Sequence, residues 1–320
     1  MRTLLLERAI FPREKVCGDC LNPACWPVLD RLGLRERILA LPHSPLADVE
    51  FIGVDGQSVR VPVAGEIAVK RSFFDAVLLD RARECGADAR EGVALSDLEA
   101  GWTLHSGGEH FTARRLVAAD GRNSTVARLL GLLPHAAKDR VAVQTHVPAP
   151  PDFGERVVMQ FHEHGYSGLA SVGDGQLNLC LVARPPQVES LKAWARATFT
   201  IEHEWRTITP LARAAVAPVH SNLLLAGDAA RVVEPFTGEG IAYALASGEM
   251  AARHLLADDL SGYASAHRAL YRGRLWINHL AHAVCLRPHL ATWMLRQSWA
   301  LSWLTRKVTA PRMPVASAQR

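Results

Sequence analysis

Hydrophobic positions along the chain switch between two periods, and the switches mark out its elements. Residues 3–6 form a short, mostly apolar run that ends on an acid, Glu7, the pattern of a buried strand stopping at a sheet edge. Residues 23–32 predict a short helix with Gly33 as its stop. From residue 49 to 69 the chain tends to alternate, as in FIGVDGQSVRVPV, and Asp55-Gly56 supplies the turn of a hairpin. Ser72 is then expected to cap FFDAVLLDRAREC, a helix with Phe73, Val77, Leu78 and Ala82 inward and Gly86 at its end. Short strands are expected over 89–95, 102–105 and 114–119.

The stretch from 140 to 217 reads as β-rich. VAVQTHV, RVVMQFH, SGLASV and QLNLCLVA are separated by Gly, Pro and Asp turns, with one helix over 188–200. NLLLAGDAA then reads as an apolar strand entering a Gly-Asp turn, and a long helix is expected over 240–256. Parallel-strand and helix segments at both ends, with hairpins between, predict an α/β fold: a Rossmann-like sheet interrupted by a mixed β-sheet domain, with a helical C-terminal tail. The expected boundaries are 1–40, 71–137 and 218–260 for the first domain, 41–70 and 138–217 for the second, and 261–320 for the tail.

Composition narrows the class. With 320 residues, 49% hydrophobic and 21% charged, the chain has ample material for a core. It has neither a transmembrane-length apolar run nor a signal-peptide pattern, so the expected location is the cytoplasm, with reduced cysteines. The net charge of +4 hides an asymmetry, because residues 261–320 carry nine basic residues and no acidic one. Trp276, Trp293, Trp299 and Trp303 lie in the same stretch. Aromatic and basic residues together fit a peripheral contact with the inner membrane face. A helical pair packing its Trp face on the body is the alternative. No nucleic-acid motif appears.

Three segments carry candidate chemistry. VAADGRNS is a strand ending at Asp120-Gly121, with Asn123 or Ser124 as the cap of the next helix. LLLAGDAA places Gly227 where backbone can approach a ligand and Asp228 where a carboxylate can meet a polyol. Pro235-Phe236-Thr237-Gly238-Glu239-Gly240-Ile241 follows, a nest of amides at the positive end of a helix. The third segment is the opening one, in which Glu7 reads as a ribose-binding acid with Lys15-Val16-Cys17-Gly18-Asp19-Cys20 downstream.

Together these motifs resemble the para-hydroxybenzoate hydroxylase-like flavoproteins, in the branch of the geranylgeranyl reductases. The resemblance runs from about residue 2 to 252 and includes Arg71-Ser72-Phe73-Phe74-Asp75. It implies FAD as cofactor and NAD(P)H as a candidate electron donor. By it, Glu7 and Arg8 would lie at the adenosine ribose, Lys15 and Arg71 along the ribose and pyrophosphate, and Asp120 and Gly121 at the same edge. Gly227 and Asp228 would meet the ribityl chain or the pyrophosphate side, and Pro235, Gly238, Glu239, Gly240 and Ile241 the flavin pyrimidine. Cys17 and Gly18 would form a wall near the flavin. The family's first strand and Gly-rich loop have no counterpart here, and a clipped or misassigned start is the expectation.

Other readings of the same residues stay open. Cys17-Gly18-Asp19-Cys20 is formally a dithiol motif, and scattered His and Cys give no metal pattern, so no metal is expected. Tyr166 or His164 is the candidate proton donor. The expected activity is hydride transfer from reduced flavin to C=C bonds of an apolar, polyprenyl-like substrate. The alternatives are a monooxygenase or halogenase acting on an aromatic substrate, and a non-catalytic homologue.

Overall fold

A computed structural model describes residues 1–135 and 140–297. In chain order it contains β1 (Leu4–Glu7), β2 (Cys20–Leu21), α1 (Trp26–Arg31), α2 (Arg35–Leu39), β3 (His43–Ile52), β4 (Ser58–Val69), α3 (Arg71–Glu84) and β5 (Asp88–Glu91). β6 (Asp97–Glu99), β7 (Thr103–Ser106), β8 (Glu109–Thr112), β9 (Leu116–Ala118) and α4 (Thr125–Leu129) follow. The middle supplies β10 (Val141–Pro148), β11 (Arg156–His162), β12 (Gly165–Ser171), β13 (Gln176–Ala183), α5 (Val188–Thr198) and β14 (Arg206–Ile208). The last part holds β15 (Val219–His220), β16 (Leu223–Leu225), α6 (Gly240–Leu256), α7 (Leu260–Leu270), α8 (Leu275–Cys285) and α9 (Pro288–Leu295).

One eight-stranded mixed sheet dominates, in the order β14-β10-β13-β12-β11-β3-β4-β2. It draws the early hairpin and the middle strands together through a parallel β3–β11 pairing. Alternation gives it two apolar faces. Leu177, Leu179 and Leu181 look towards α5, with Val143, Val147 and Leu169. Phe51, Val61, Phe161, Tyr166 and Val182 look the other way, towards α8 and α9.

The expected nucleotide-type sheet is present in two pieces, β1-β5 and β15-β16-β9, in which β1–β5 and β16–β9 pair in parallel while β15 joins β16 antiparallel. Leu6 packs into the cluster of Ala118, Leu223 and Leu225, so both pieces border one core. A separate meander, β6-β7-β8, lies beside them.

Three expectations need correction. Ser72 does not cap α3, whose N-cap is Lys70, and the buried stripe is Ser72, Phe74, Asp75 and Leu79. The cause is Arg71: as the first helical residue it reaches Asp75 one turn on, and that ion pair takes the place of Phe73 on the inner face, while Val77 and Leu78 pack half-buried against the core as expected. Trp276 and Trp293 are exposed, because α8 buries Ile277, Ala281 and Val284, and α9 buries Ala291 and Leu295. Neither Trp276 nor Trp293 is therefore a core residue. Trp299, Trp303 and the four basic residues beyond them lie outside the described residues, as does the expected boundary at 137/138. No helix among the described residues is long and apolar enough to cross a membrane.

Candidate functional site

Three cations gather where the opening loop meets the start of α3. Arg71 holds Asp75 through both carboxylate oxygens at 2.8 Å. Arg13 reaches the same acid at 3.1 Å. Lys15 is close enough that burial of its ammonium, followed by repulsion from Arg71, holds its pKa below the ordinary value, although the residue as a whole stays exposed. One buried carboxylate faces three positive charges. That excess of charge suits a diphosphate.

The same Arg71 points its remaining Nη1 at the Cys17 sulfur, 3.7 Å away. The Cys17 carbonyl is held from the sheet by Asn178 Nδ2 at 2.8 Å and by the Cys180 thiol at 3.1 Å. Asn178 also donates to Asp19, whose other partner is His146 Nε2 at 3.0 Å. Asp19 is buried with φ of 59°, a left-handed conformation that Asp tolerates and that this network fixes. Burial pushes the Asp19 carboxyl up despite those bonds, and it pushes the Cys20 thiol up much further. A thiol pushed up by burial and donating to the Gly18 carbonyl at 3.2 Å forms its thiolate less readily, which argues against a redox dithiol.

The two acid-glycine turns meet through a residue that the motifs did not single out. Arg122 Nη2 bonds Asp228 Oδ2 at 3.2 Å, and its buried Nη1 has no hydrogen-bond partner among the described residues. Asp120 is turned to its own helix, accepting the Val126 amide at 3.1 Å, and Ser124 rather than Asn123 caps α4. Gly227 serves the fold more than a ligand. Its amide donates to Ser247 Oγ at 2.8 Å, and a methyl group there would lie 3.2 Å from Ala244 Cβ with φ at +57°. Gly227→Ala is therefore expected to cost about 2 kcal/mol, combining left-handed strain with overpacking against α6. Urea unfolding measures it, and an unchanged midpoint would refute the packing argument.

At the start of α6, Gly238 takes the left-handed conformation, and its amide is spent on the Pro235 carbonyl at 3.1 Å. The amides left to face a ligand are those opening the helix, from Glu239 to Ile241. A methyl group on Gly18, Gly121, Gly238 or Gly240 would meet no atom within 4 Å, so these turns border open ground. Asn22 Nδ2 bonds the Gly238 carbonyl at 3.3 Å and ties this turn to the opening loop. Glu239 is buried, its carboxyl raised by that burial, with Arg274 at 3.7 Å.

Behind Phe236 lies a buried ion pair. Arg140 grips both oxygens of Glu234 at 3.0 and 2.8 Å, and His282 Nδ1 stands 3.1 Å from the same acid. Burial pushes the Glu234 carboxyl up, but His282 and Arg140 outweigh it and hold the group below its usual range. Phe236 itself joins Phe51, Phe161 and Tyr166 in an aromatic cluster, with ring centroids 5.3–6.1 Å apart.

The structure thus brings together Lys15, Cys17, Arg71, Gly238 and Asp228, and the DG turn joins them through Arg122. Glu7 is half-buried and its carboxylate accepts the nearby Ala9 amide at 2.9 Å, while Arg8 is exposed. Pro235 and Ile241 flank the amide nest. His164 is exposed and Tyr166 is packed among aromatics, so neither stands out as a proton donor. No group that could hold a metal ion occurs among the described residues. Asp19, Asp75, Arg122, His146 and Asn178 were missed. Asp19, Asp75 and Arg122 lie inside motifs already quoted, whereas His146 and Asn178 carried no local signal.

No family model matches the chain. It is 26% identical to a menaquinone reductase of Mycolicibacterium smegmatis over 300 residues, 82% of this chain and 72% of that protein. It is 30% identical to digeranylgeranylglycerophospholipid reductase 2 of Methanopyrus kandleri over 248 residues, 65% of this chain and 60% of that one. The flavin-dependent brominase Bmp2 superposes with a TM-score of 0.78 over 97% of this chain and 87% of its own, at 17% identity. Reductases and a rifampicin monooxygenase are among the relatives of this chain, and flavin-dependent halogenases and an FAD-dependent monooxygenase are among its structural neighbours. The shared fold explains why one sheet face, one opening loop and one helix start converge here.

Proposed function

We propose that the chain is an FAD-dependent oxidoreductase that reduces an apolar prenyl or quinone substrate. The observation that carries the cofactor is the trio Arg13, Lys15 and Arg71 around Asp75, beside glycine turns bordering open ground. These residues fit a flavin dinucleotide. Arg13, Lys15 and Arg71 would hold its diphosphate, and Arg122 with its unpartnered Nη1 would join Asp228 at the ribityl side. The amides of Glu239 to Ile241 would take the pyrimidine edge, and Glu7 the ribose. Bound there, FAD would supply hydride transfer from its reduced ring.

The substrate class is argued from the wall beside Cys17. Val16, Val63, Met159, Phe236, Leu280 and Met294 are half-buried against the core face of the large sheet, which suits a hydrocarbon chain. Menaquinone and digeranylgeranylglycerophospholipid reductases among the relatives support the same class. A second reading, oxygenation or halogenation of an aromatic compound, is favoured by the rifampicin monooxygenase of Streptomyces venezuelae, 26% identical over 266 residues.

Reconstitution separates these readings. The purified chain mixed with FAD is expected to retain yellow colour through gel filtration. After reduction with dithionite in the absence of oxygen, a prenylated quinone or polyprenyl diphosphate should reoxidise it. Reoxidation that requires oxygen and an aromatic compound would favour the second reading. Failure to retain any flavin would defeat both.

A further inference from the structure

Six acids are buried among the described residues: Asp19, Glu50, Glu66, Asp75, Glu234 and Glu239. Five have a basic partner: His146 for Asp19, Arg60 and Arg156 for Glu50, Arg13 and Arg71 for Asp75, Arg140 for Glu234 and Arg274 for Glu239. Glu66, 7% exposed, makes no side-chain ion pair or side-chain hydrogen bond among the described residues, and burial alone acts on its carboxyl. Burying a carboxylate without a partner is costly, so its position calls for a reason.

Local geometry aims this acid at the substrate side of the large sheet. Glu66 stands opposite Leu46 in the β3–β4 register, and directly opposed residues share a face. Leu46 packs with Ala68, Ala170, Cys20, Val63 and Val157. Val63 and Val157 also pack against the Phe51, Phe161 and Tyr166 cluster, so the face is continuous with the wall beneath Phe236. A β-bulge sets the direction: residues 46–48 of β3 face residues 62–66 of β4. Gly65 takes φ of +74° within it, and Trp26 Nε1 pins its carbonyl at 2.8 Å. The titratable groups facing Glu66 are the thiols of Cys20 and Cys25, on the two segments that follow the Cys17 turn.

We propose that Glu66 is the proton donor of the reduction. This rests on the reductase reading above. Its carboxyl gives a proton to one carbon of the substrate double bond, or to a quinone oxygen, while the other atom of the reduced pair receives hydride from reduced flavin. Flavin is oxidised by two electrons, the substrate gains two hydrogens, and the carboxylate regains its proton from water. Burial pushes the Glu66 carboxyl up to about 7, which keeps both its forms populated at neutral pH.

Two measurements test the assignment. The first needs no cofactor. Because the folded pKa lies above the ordinary 4.5, the neutral acid's stabilising advantage is complete below pH 4.5 and is lost as pH rises through about 7. Glu66→Gln escapes that loss. Its urea midpoint should therefore gain on wild type between these pH values, and a gap constant with pH would overturn the proposal. The second uses flavin-loaded protein. Glu66→Gln should lose about 10²- to 10⁴-fold in substrate reduction with flavin affinity and dithionite reduction unchanged, and Glu66→Asp should recover part. A wild type that turns over no faster than Glu66→Gln overturns the role of Glu66 alone. A flavin-loaded wild type that reduces neither prenyl nor quinone substrate overturns the reductase reading, and this assignment with it.

Discussion

Arg140→Ala is expected to lower the unfolding free energy by about 3–5 kcal/mol. The two side chains are only 2% and 3% exposed, so Glu234 cannot exchange the guanidinium for water. Left behind, it would keep His282 Nδ1 as its side-chain neighbour at 3.1 Å and the link from its own amide to Asn278, 2.7 Å long. Glu234 immediately precedes Pro235, so the loss also loosens the turn that presents the amide nest. The deficit should depend on pH with a definite sign. The wild-type acid lies below its usual 4.5, so its pairing stabilises the fold above that value and fades as pH falls through the folded pKa. In the variant, burial favours the protonated form, so the two proteins converge in acid. Urea unfolding across pH checks both parts. Replacing both partners by Met and Leu should cost much less than the single change, and equal costs would contradict the desolvation argument.

Arg71→Ala should weaken FAD binding about 10- to 100-fold, the value of one or two charge-assisted hydrogen bonds. The guanidinium is 14% exposed and already committed to Asp75, with its last nitrogen on the Cys17 sulfur. It is therefore held in place before any ligand arrives, which reduces the ordering cost of binding. Arg71→Lys keeps the charge but loses the fork, and an intermediate affinity is expected. Added salt should weaken the wild type more than the alanine variant. Flavin fluorescence quenching gives these affinities, and an Arg71→Ala protein that binds as tightly as wild type would move the diphosphate elsewhere.

Where sequence and structure agree, the signal was local. The β3–β4 hairpin follows from alternation and Asp55-Gly56, and α6 follows from an apolar stretch after a glycine-rich start. The buried charges could not be read this way, because their partners lie far along the chain: Asp19 with His146, Arg140 with Glu234, Arg122 with Asp228. The face of α3 was misjudged because apolar residues occupy both sides of it and an ion pair chose between them. Glu66 is the sharpest case. In VRVPVAGEIAV it reads as an outward polar position of an alternating strand, with Val59, Val61 and Val63 inward. The bulge reverses the phase after Val63, sending Ile67 and Val69 to the α1 side and Glu66 to the face they vacate.

The parallel β3–β11 pairing has a consequence for how the protein is made. β3 emerges from the ribosome with one edge satisfied by β4 and the other awaiting residues 156–160. At about 5–20 residues per second, the intervening stretch takes roughly 5–20 s to synthesise, during which that edge is open to foreign strands. Slow translation or scarce chaperones should therefore show first as lost soluble yield rather than as an altered final structure.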